Sequence, residues 1–254
     1  MCQSIRFEKL EQVGVITMLY GTMKEAFPDE MLDILTYAEH DPDIRALILK
    51  NDGKFFCAGG DLSGGPKRDQ FGVKEYVAKS GQVANRLTSC SKPIIALVNG
   101  AAAGGGANLA LSCDFVFASE KAKFREVFVN INYIPDTGGL WNLVHLIGPM
   151  RAKELCLTGK IILPQEAYEL GMVTRVVASE ELLEQGMEFA RELASKPPQA
   201  VRFIKELCAR IPEMTHQNYL DYESSLMALL WGTQDHAEGV AAFQEKRAPK
   251  FIGK

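Results

Sequence analysis

Residues 99–114 read Asn-Gly-Ala-Ala-Ala-Gly-Gly-Gly-Ala-Asn-Leu-Ala-Leu-Ser-Cys-Asp, a run of small side chains that opens directly into a helical pattern. Gly and Ala let another molecule approach the main chain. The first N–H groups of a helix lack internal partners and carry the positive end of its dipole. Such a helix start suits an anion, or an oxygen that becomes negative during a reaction. Two rival readings fail on spacing. A dinucleotide fingerprint counted from Gly104 and Gly106 puts Leu109 where a third Gly or Ala is needed, and no acidic residue follows a strand about 20 residues later. A phosphate loop needs Gly-Lys-Ser/Thr, which the chain lacks. A glycine run that serves only close helix packing stays open until a second element supports a ligand.

That second element lies upstream. Lys54-Phe55-Phe56-Cys57-Ala58-Gly59-Gly60-Asp61-Leu62 follows the apolar run Ala46-Leu47-Ile48-Leu49, so a buried strand ends in a tight, small-residue turn. The strand Pro93-Ile94-Ile95-Ala96-Leu97-Val98 enters the 99–114 run in the same way. The spacing predicts neighbouring parallel strands whose carboxyl ends form one crevice, with a main-chain donor from each turn aimed at a common oxygen.

The remaining pattern alternates strands and helices. Strands are expected at 5–10, 13–19, 46–50, 93–98, 115–118 and near Phe124, and helices at 29–39, 73–89, from about 105, at 138–147 and at 150–157. After Val173–Val177 the chain reads as helical almost to its end. Lys196-Pro197-Pro198 divides a core at 1–195 from a helical module at 196–254.

With 254 residues, 47% of them apolar, the chain can build one large core and an appended subdomain. A net charge of −4 gives no electrostatic case for nucleic acid. No apolar run approaches the ~20 residues of a membrane span, and the start lacks a signal-peptide core, so cytoplasmic residence is expected. Six scattered cysteines, with no histidine at metal-ligand spacing, predict reduced thiols and no metal site. Cys57 reads as small buried packing rather than a nucleophile, and His145 as a core or surface residue.

Phe56–Leu62, Val98–Asp114, Ile134-Pro135-Asp136-Thr137-Gly138-Gly139, Leu157-Thr158-Gly159, Ala167–Val177 and the ending Phe243–Phe251 together resemble the crotonase superfamily, the enoyl-CoA hydratase and isomerase family, over essentially the whole length. The resemblance implies an α/β fold: a ClpP-like spiral core of ββα units with a C-terminal helical oligomerisation module. It implies an acyl-CoA thioester as substrate, coenzyme A arriving as part of that substrate with no permanently bound cofactor, and assembly into trimers or paired trimers. The backbone N–H groups of Gly60 and Gly105 would be the oxyanion-hole donors. Ala58, Gly60 and Leu62 are candidates for wrapping the adenine, and Lys24 for meeting a phosphate, with a solvated lysine as the alternative. Lys250 and Phe251, in the closing segment, would meet CoA from a neighbouring subunit or simply form a charged tail.

Hydratases of this family position water with two glutamates. Motif matching puts Asn108 at the first of these places and Phe128 at the second, and neither can accept a proton from water. The nearest carboxylate is Asp136, which reads either as an N-cap for the helix at about 138 or as a single acid/base. Asp136 together with Ala-Asn-Leu-Ala-Leu is similar to 1,2-epoxyphenylacetyl-CoA isomerases and Δ3,Δ2-enoyl-CoA isomerases. The expected activity is therefore isomerisation through an enolate, in fatty-acid or aromatic-acid catabolism. Hydration or another acyl-CoA lyase reaction, and a non-catalytic acyl-CoA-binding scaffold, are the alternatives. Aryl-CoA dehalogenation is disfavoured because residues 73–90 contain no histidine to activate water.

Overall fold

The computed structural model describes residues 4–61 and 68–254. In chain order the elements begin with a hairpin, β1 (Ile5–Leu10) and β2 (Val13–Met18), paired antiparallel. Helix α1 (Phe27–His40) carries Pro28 in its first turn, where a missing N–H costs no bond, and buries Phe27, Met31, Ile34, Leu35 and Ala38 along one face. Strand β3 (Ala46–Asn51) precedes α2 (Gln70–Ser89), which is capped by Asp69 accepting from the Gly72 N–H at 2.8 Å. Then come β4 (Ile94–Val98), β5 (Ala101–Ala103), α3 (Gly105–Leu111), β6 (Phe115–Ser119) and β7 (Lys123–Arg125). A 3₁₀ turn (Phe128–Ile131) leads to α4 (Gly139–Thr158), β8 (Ile161–Ile162), α5 (Pro164–Glu169) and β9 (Arg175–Val177). Four long helices finish the chain: α6 (Leu182–Ala194), α7 (Pro198–Arg210), α8 (His216–Trp231) and α9 (Gln234–Glu245).

Six strands form one sheet in the order β1-β2-β3-β4-β6-β9, parallel at every pairing but the first, and β5, β7 and β8 form a small second sheet. Both faces of the large sheet are covered, which is why β2 and β4 are buried at every position and read as continuous apolar runs. On one side Leu47, Leu49, Ile94 and Ala96 pack with the apolar faces of α1, α2 and α3. On the other, Val15, Ile48, Leu97 and Phe117 meet Leu182, Met187 and Ala190 of α6. No helix among the described residues is long and apolar enough to cross a membrane.

The helices expected at 138–147 and 150–157 are both present as the two arms of α4, which breaks between them at Gly148 (φ 76°, ψ 163°) ahead of Pro149. The structure departs from the sequence pattern elsewhere. Strands β5 and β8 were not expected, because three alanines and two isoleucines are too short to show an alternation. The tail beyond α9 is folded back rather than free: Lys246 takes φ 54°, and the buried Asp235 carboxylate accepts the N–H groups of Ile252 (2.7 Å) and Gly253 (2.8 Å). Helix α7 docks on the sheet through Lys205, whose ammonium donates to the Lys92 carbonyl at 3.0 Å and pairs with Asp114.

Candidate active site

Parallel pairing of β3 with β4, in register Leu47 with Ile94 to Leu49 with Ala96, brings the two small-residue turns out at the same edge of the sheet. Main-chain bonds stitch them together: Phe56 N–H donates to the Ala101 carbonyl (3.0 Å) and Ala103 N–H to the Cys57 carbonyl (2.9 Å). The approach is close enough to demand glycine. A Cβ on Gly106 would lie 2.1 Å from the Cys57 oxygen, and Gly59 (φ +88°) and Gly104 (φ +53°) adopt backbone conformations that side chains strain. Gly104 N–H is held by the Arg125 carbonyl at 2.9 Å, which fixes the start of α3 against β7.

The stitched turns form one wall of a crevice of about 560 Å³, lined by Ala58, Gly60, Gly105, Phe128 and Asp136 among others. Gly105 is the first residue of α3, so its N–H has no partner within the helix, and neither it nor the Gly60 N–H has an acceptor among the described residues. Two unpaired main-chain donors on one wall can together hold a carbonyl oxygen that gains charge.

Asp136 stands beside them. A Cβ on Gly105 would lie 3.3 Å from Asp136 Oδ1 and 3.4 Å from Thr137 Oγ1, so the carboxyl hangs directly over the start of α3. Its main-chain carbonyl is held twice, by Asn108 Nδ2 (2.9 Å) and by the Gly139 N–H (2.9 Å), and Thr137 donates its hydroxyl to Oδ1 at 2.9 Å from a left-handed backbone (φ 51°). Burial raises the Asp136 carboxyl above the ordinary range, and the Thr137 hydrogen bond opposes this. The capping role that the sequence allowed is not taken: Gly138 occupies the cap of α4, and no side chain satisfies it.

The other expected site residues are placed as follows. Phe128 is buried, with its ring edge 3.4 Å from where a Gly104 Cβ would be. Asn108, a candidate for meeting the substrate, is fully buried and lies behind the residues that line the crevice. Its side chain fills the space above Gly139, where a Cβ would fall 2.1 Å from Nδ2, and it acts on the main chain behind the wall. Ala58 is exposed at the crevice, and Leu62 lies outside the described residues. Lys24 lines the crevice with its ammonium on the Asp61 carboxylate at 2.8 Å. Lys250 and Phe251 belong to the folded-back tail beside α9, with the Lys250 N–H on Glu238 Oε1 (2.7 Å) and the Phe251 ring near Gly239, away from this crevice of their own chain.

Cys57 is buried and its thiol is pushed up to about 11 by desolvation, so it is a packing residue. His145 is exposed against Trp141. Two residues of the neighbourhood escaped the sequence reading. Tyr76 lines the crevice from α2, with the Arg68 guanidinium 4.1 Å from its ring centre. Glu126 is 2% exposed, immediately after β7. Strand alternation carried one step past Arg125 would have put Glu126 on the buried side with Phe124.

Residues 7–254 match the family model described as enoyl-CoA hydratase/isomerase. The 1,2-epoxyphenylacetyl-CoA isomerase of Escherichia coli (strain K12) is 37% identical over 254 residues, covering 95% of this chain and 96% of the relative. The crotonyl-CoA hydratase of Syntrophomonas wolfei is 34% identical over 257 residues, covering 99% of each. A crystal structure of enoyl-CoA hydratase from Bacillus anthracis superposes with a TM-score of 0.95 at 34% identity, covering 99% of this chain and 100% of that one. Fold and site together define an enzyme of the crotonase superfamily. The chain belongs to its enoyl-CoA hydratase/isomerase family.

Proposed function

We propose that this chain is an acyl-CoA isomerase that shifts a double bond, or rearranges a ring epoxide, through an enolate held in an oxyanion hole, with Asp136 as the single acid/base. The observation that carries this reading is the placement of the Asp136 carboxyl over Gly105, with a buried amide (Asn108) and a buried phenyl ring (Phe128) at the two places where hydratases of the family carry glutamates. In a 3-enoyl-CoA, the Gly60 and Gly105 N–H groups donate to the thioester oxygen as it gains charge while Asp136 takes a proton from the carbon beside the thioester. The protonated Asp136 returns that proton two carbons along the resulting dienolate. One carboxyl suffices, because nothing is added to the substrate. The Phe128 ring against Gly104 helps to keep water from the enolate.

The similarity to a 1,2-epoxyphenylacetyl-CoA isomerase supports isomerisation, while relatives named hydratase at 33–34% identity keep water addition as the competing outcome. Lys24, Ala58 and Leu62 are proposed to meet the CoA moiety, and Lys250 and Phe251 to do so from a neighbouring subunit of a trimer or paired trimer. Isomerisation and hydration are scored side by side on a panel of acyl-CoA thioesters, with deuterium uptake from heavy water at the carbon beside the thioester as a second readout. Asp136→Asn is expected to abolish both exchange and isomerisation while leaving acyl-CoA affinity within about threefold, the behaviour of a group used in the transition state rather than in binding. Wild-type protein that exchanges no proton is a scaffold, and 3-hydroxyacyl-CoA as the main product establishes a hydratase.

A further inference from the structure

Glu126 is a buried acidic group with no part in the reaction just described. Its Oε2 has no hydrogen-bond partner, and neither has Asn108 Oδ1, although the Glu126 carboxyl lies against the Asn108 amide. Two neighbouring acceptor oxygens, both removed from water and both without a donor, form a costly arrangement. Asn108 relieves only part of it: Nδ2 gives one N–H to the Asp136 carbonyl at 2.9 Å and its other N–H serves the Glu126 carboxyl, which leaves Glu126 Oε2 and Asn108 Oδ1 still without a donor. A proton on Glu126 satisfies both atoms at once.

We propose that Glu126 is a positioning residue of the acid/base machinery: a carboxylic acid kept neutral, whose O–H is donated to Asn108 Oδ1, so that Asn108 in turn clamps the main chain of Asp136. The proposal rests on the reading of Asp136 as the base.

Burial and two neighbours decide the charge of Glu126. Desolvation is the largest influence and pushes the carboxyl up to about 8; the negative charge of Asp136, from the loop before α4, acts in the same direction. The Asn108 amide on α3 opposes both. Cys156 faces Glu126 from α4, and its thiol, raised first by burial and further by Glu126, stays neutral. The neighbouring Arg125 gives its Nε to the Gly159 carbonyl at 2.5 Å. At neutral pH burial keeps the proton on Glu126. At higher pH a second charge arrives, the hydrogen bond to Asn108 is lost, and proton uptake by Asp136 meets an altered field. An alkaline decline of kcat is thus expected from a residue that never touches substrate.

The test begins without substrate. In infrared difference spectra of the wild-type protein between neutral and alkaline pH, the carbonyl stretch of a protonated carboxylic acid should disappear as pH rises through about 8. The loss should also occur in Asp136→Asn, at lower pH because the charge that helps to raise Glu126 is gone, and not at all in Glu126→Gln; its absence from the wild-type protein overturns the proposal. In steady-state kinetics, Glu126→Gln, which still offers Asn108 a neutral donor, should keep kcat within about threefold and lose the alkaline limb. Glu126→Leu should lower kcat about tenfold with KM little changed, the loss expected when a reacting group is displaced by a fraction of an ångström. A Gln variant no better than Leu, or a Leu variant with wild-type kcat and pH profile, also overturns it. Turnover by Asp136→Asn instead overturns the base assignment while leaving the infrared result standing, so the two failures are separable.

Discussion

At the scale of single residues, two neighbouring carboxyls do different work because their surroundings differ. Asp136 has a hydroxyl donor on Oδ1 and an open side toward the crevice, whereas Glu126 is sealed behind Asn108 with an oxygen unpaired. Since the Thr137 hydrogen bond holds the Asp136 carboxyl down against desolvation, Thr137→Val should move the acidic limb of kcat/KM to higher pH, read from a pH–rate profile. Glu126 also makes a prediction about stability. Its folded-state value of about 8 exceeds the ordinary 4.5, so between those values the folded chain binds more protons than the unfolded one. Stability contributed by this group is complete below about 4.5 and is lost as pH rises toward 8, at up to about 1.4 kcal/mol per pH unit. Chemical denaturation across that range should show Glu126→Gln losing less stability with rising pH than the wild-type protein. Asp136 was legible in the sequence because its motif is a recognisable word. Glu126 was not, because its importance comes from what α3 and α4 place around it.

At the scale of elements, the site is the product of one pairing, β3 beside β4, and of the glycines that let the two following turns touch. Gly105→Ala would set a methyl group 2.7 Å from Met23 Cε, a flexible tip that can yield, and 3.3 Å from Asp136 Oδ1, which cannot move without leaving its Thr137 donor. We expect near-normal thermal stability and at least a tenfold loss of turnover, checked by calorimetry and kinetics on one preparation. Gly106→Ala meets main chain instead, 2.1 Å from the Cys57 oxygen, and should fail to accumulate as folded protein or melt far lower, as a thermal scan would show. The strands and helices that bear this load were readable from apolar runs and small-residue turns. Strand β5 was hidden, since Ala101-Ala102-Ala103 carries no pattern and becomes a strand only because β7 pairs with it.

At the scale of the whole molecule, α8 and α9 expose Met227, Leu229, Trp231 and Phe243, the last at 85% of its surface. Met227 and Trp231, four residues apart, fall on one side of α8, apolar exposure of the kind that a partner subunit covers. The proposed trimer or paired trimer would cover it, and sedimentation of Phe243→Glu should shift the species toward monomer if α9 takes part. A wild-type protein that sediments as a monomer contradicts the assembly. The stitching of the two turns has a further meaning for how such a chain diversifies. Donor spacing is set by main-chain atoms that side-chain mutation barely reaches, whereas Val73, Tyr76 and Val77 of α2 line the same crevice outside the two stitched turns. Exchange of those three residues can retune which acyl group fits while the machinery that acidifies it is inherited intact.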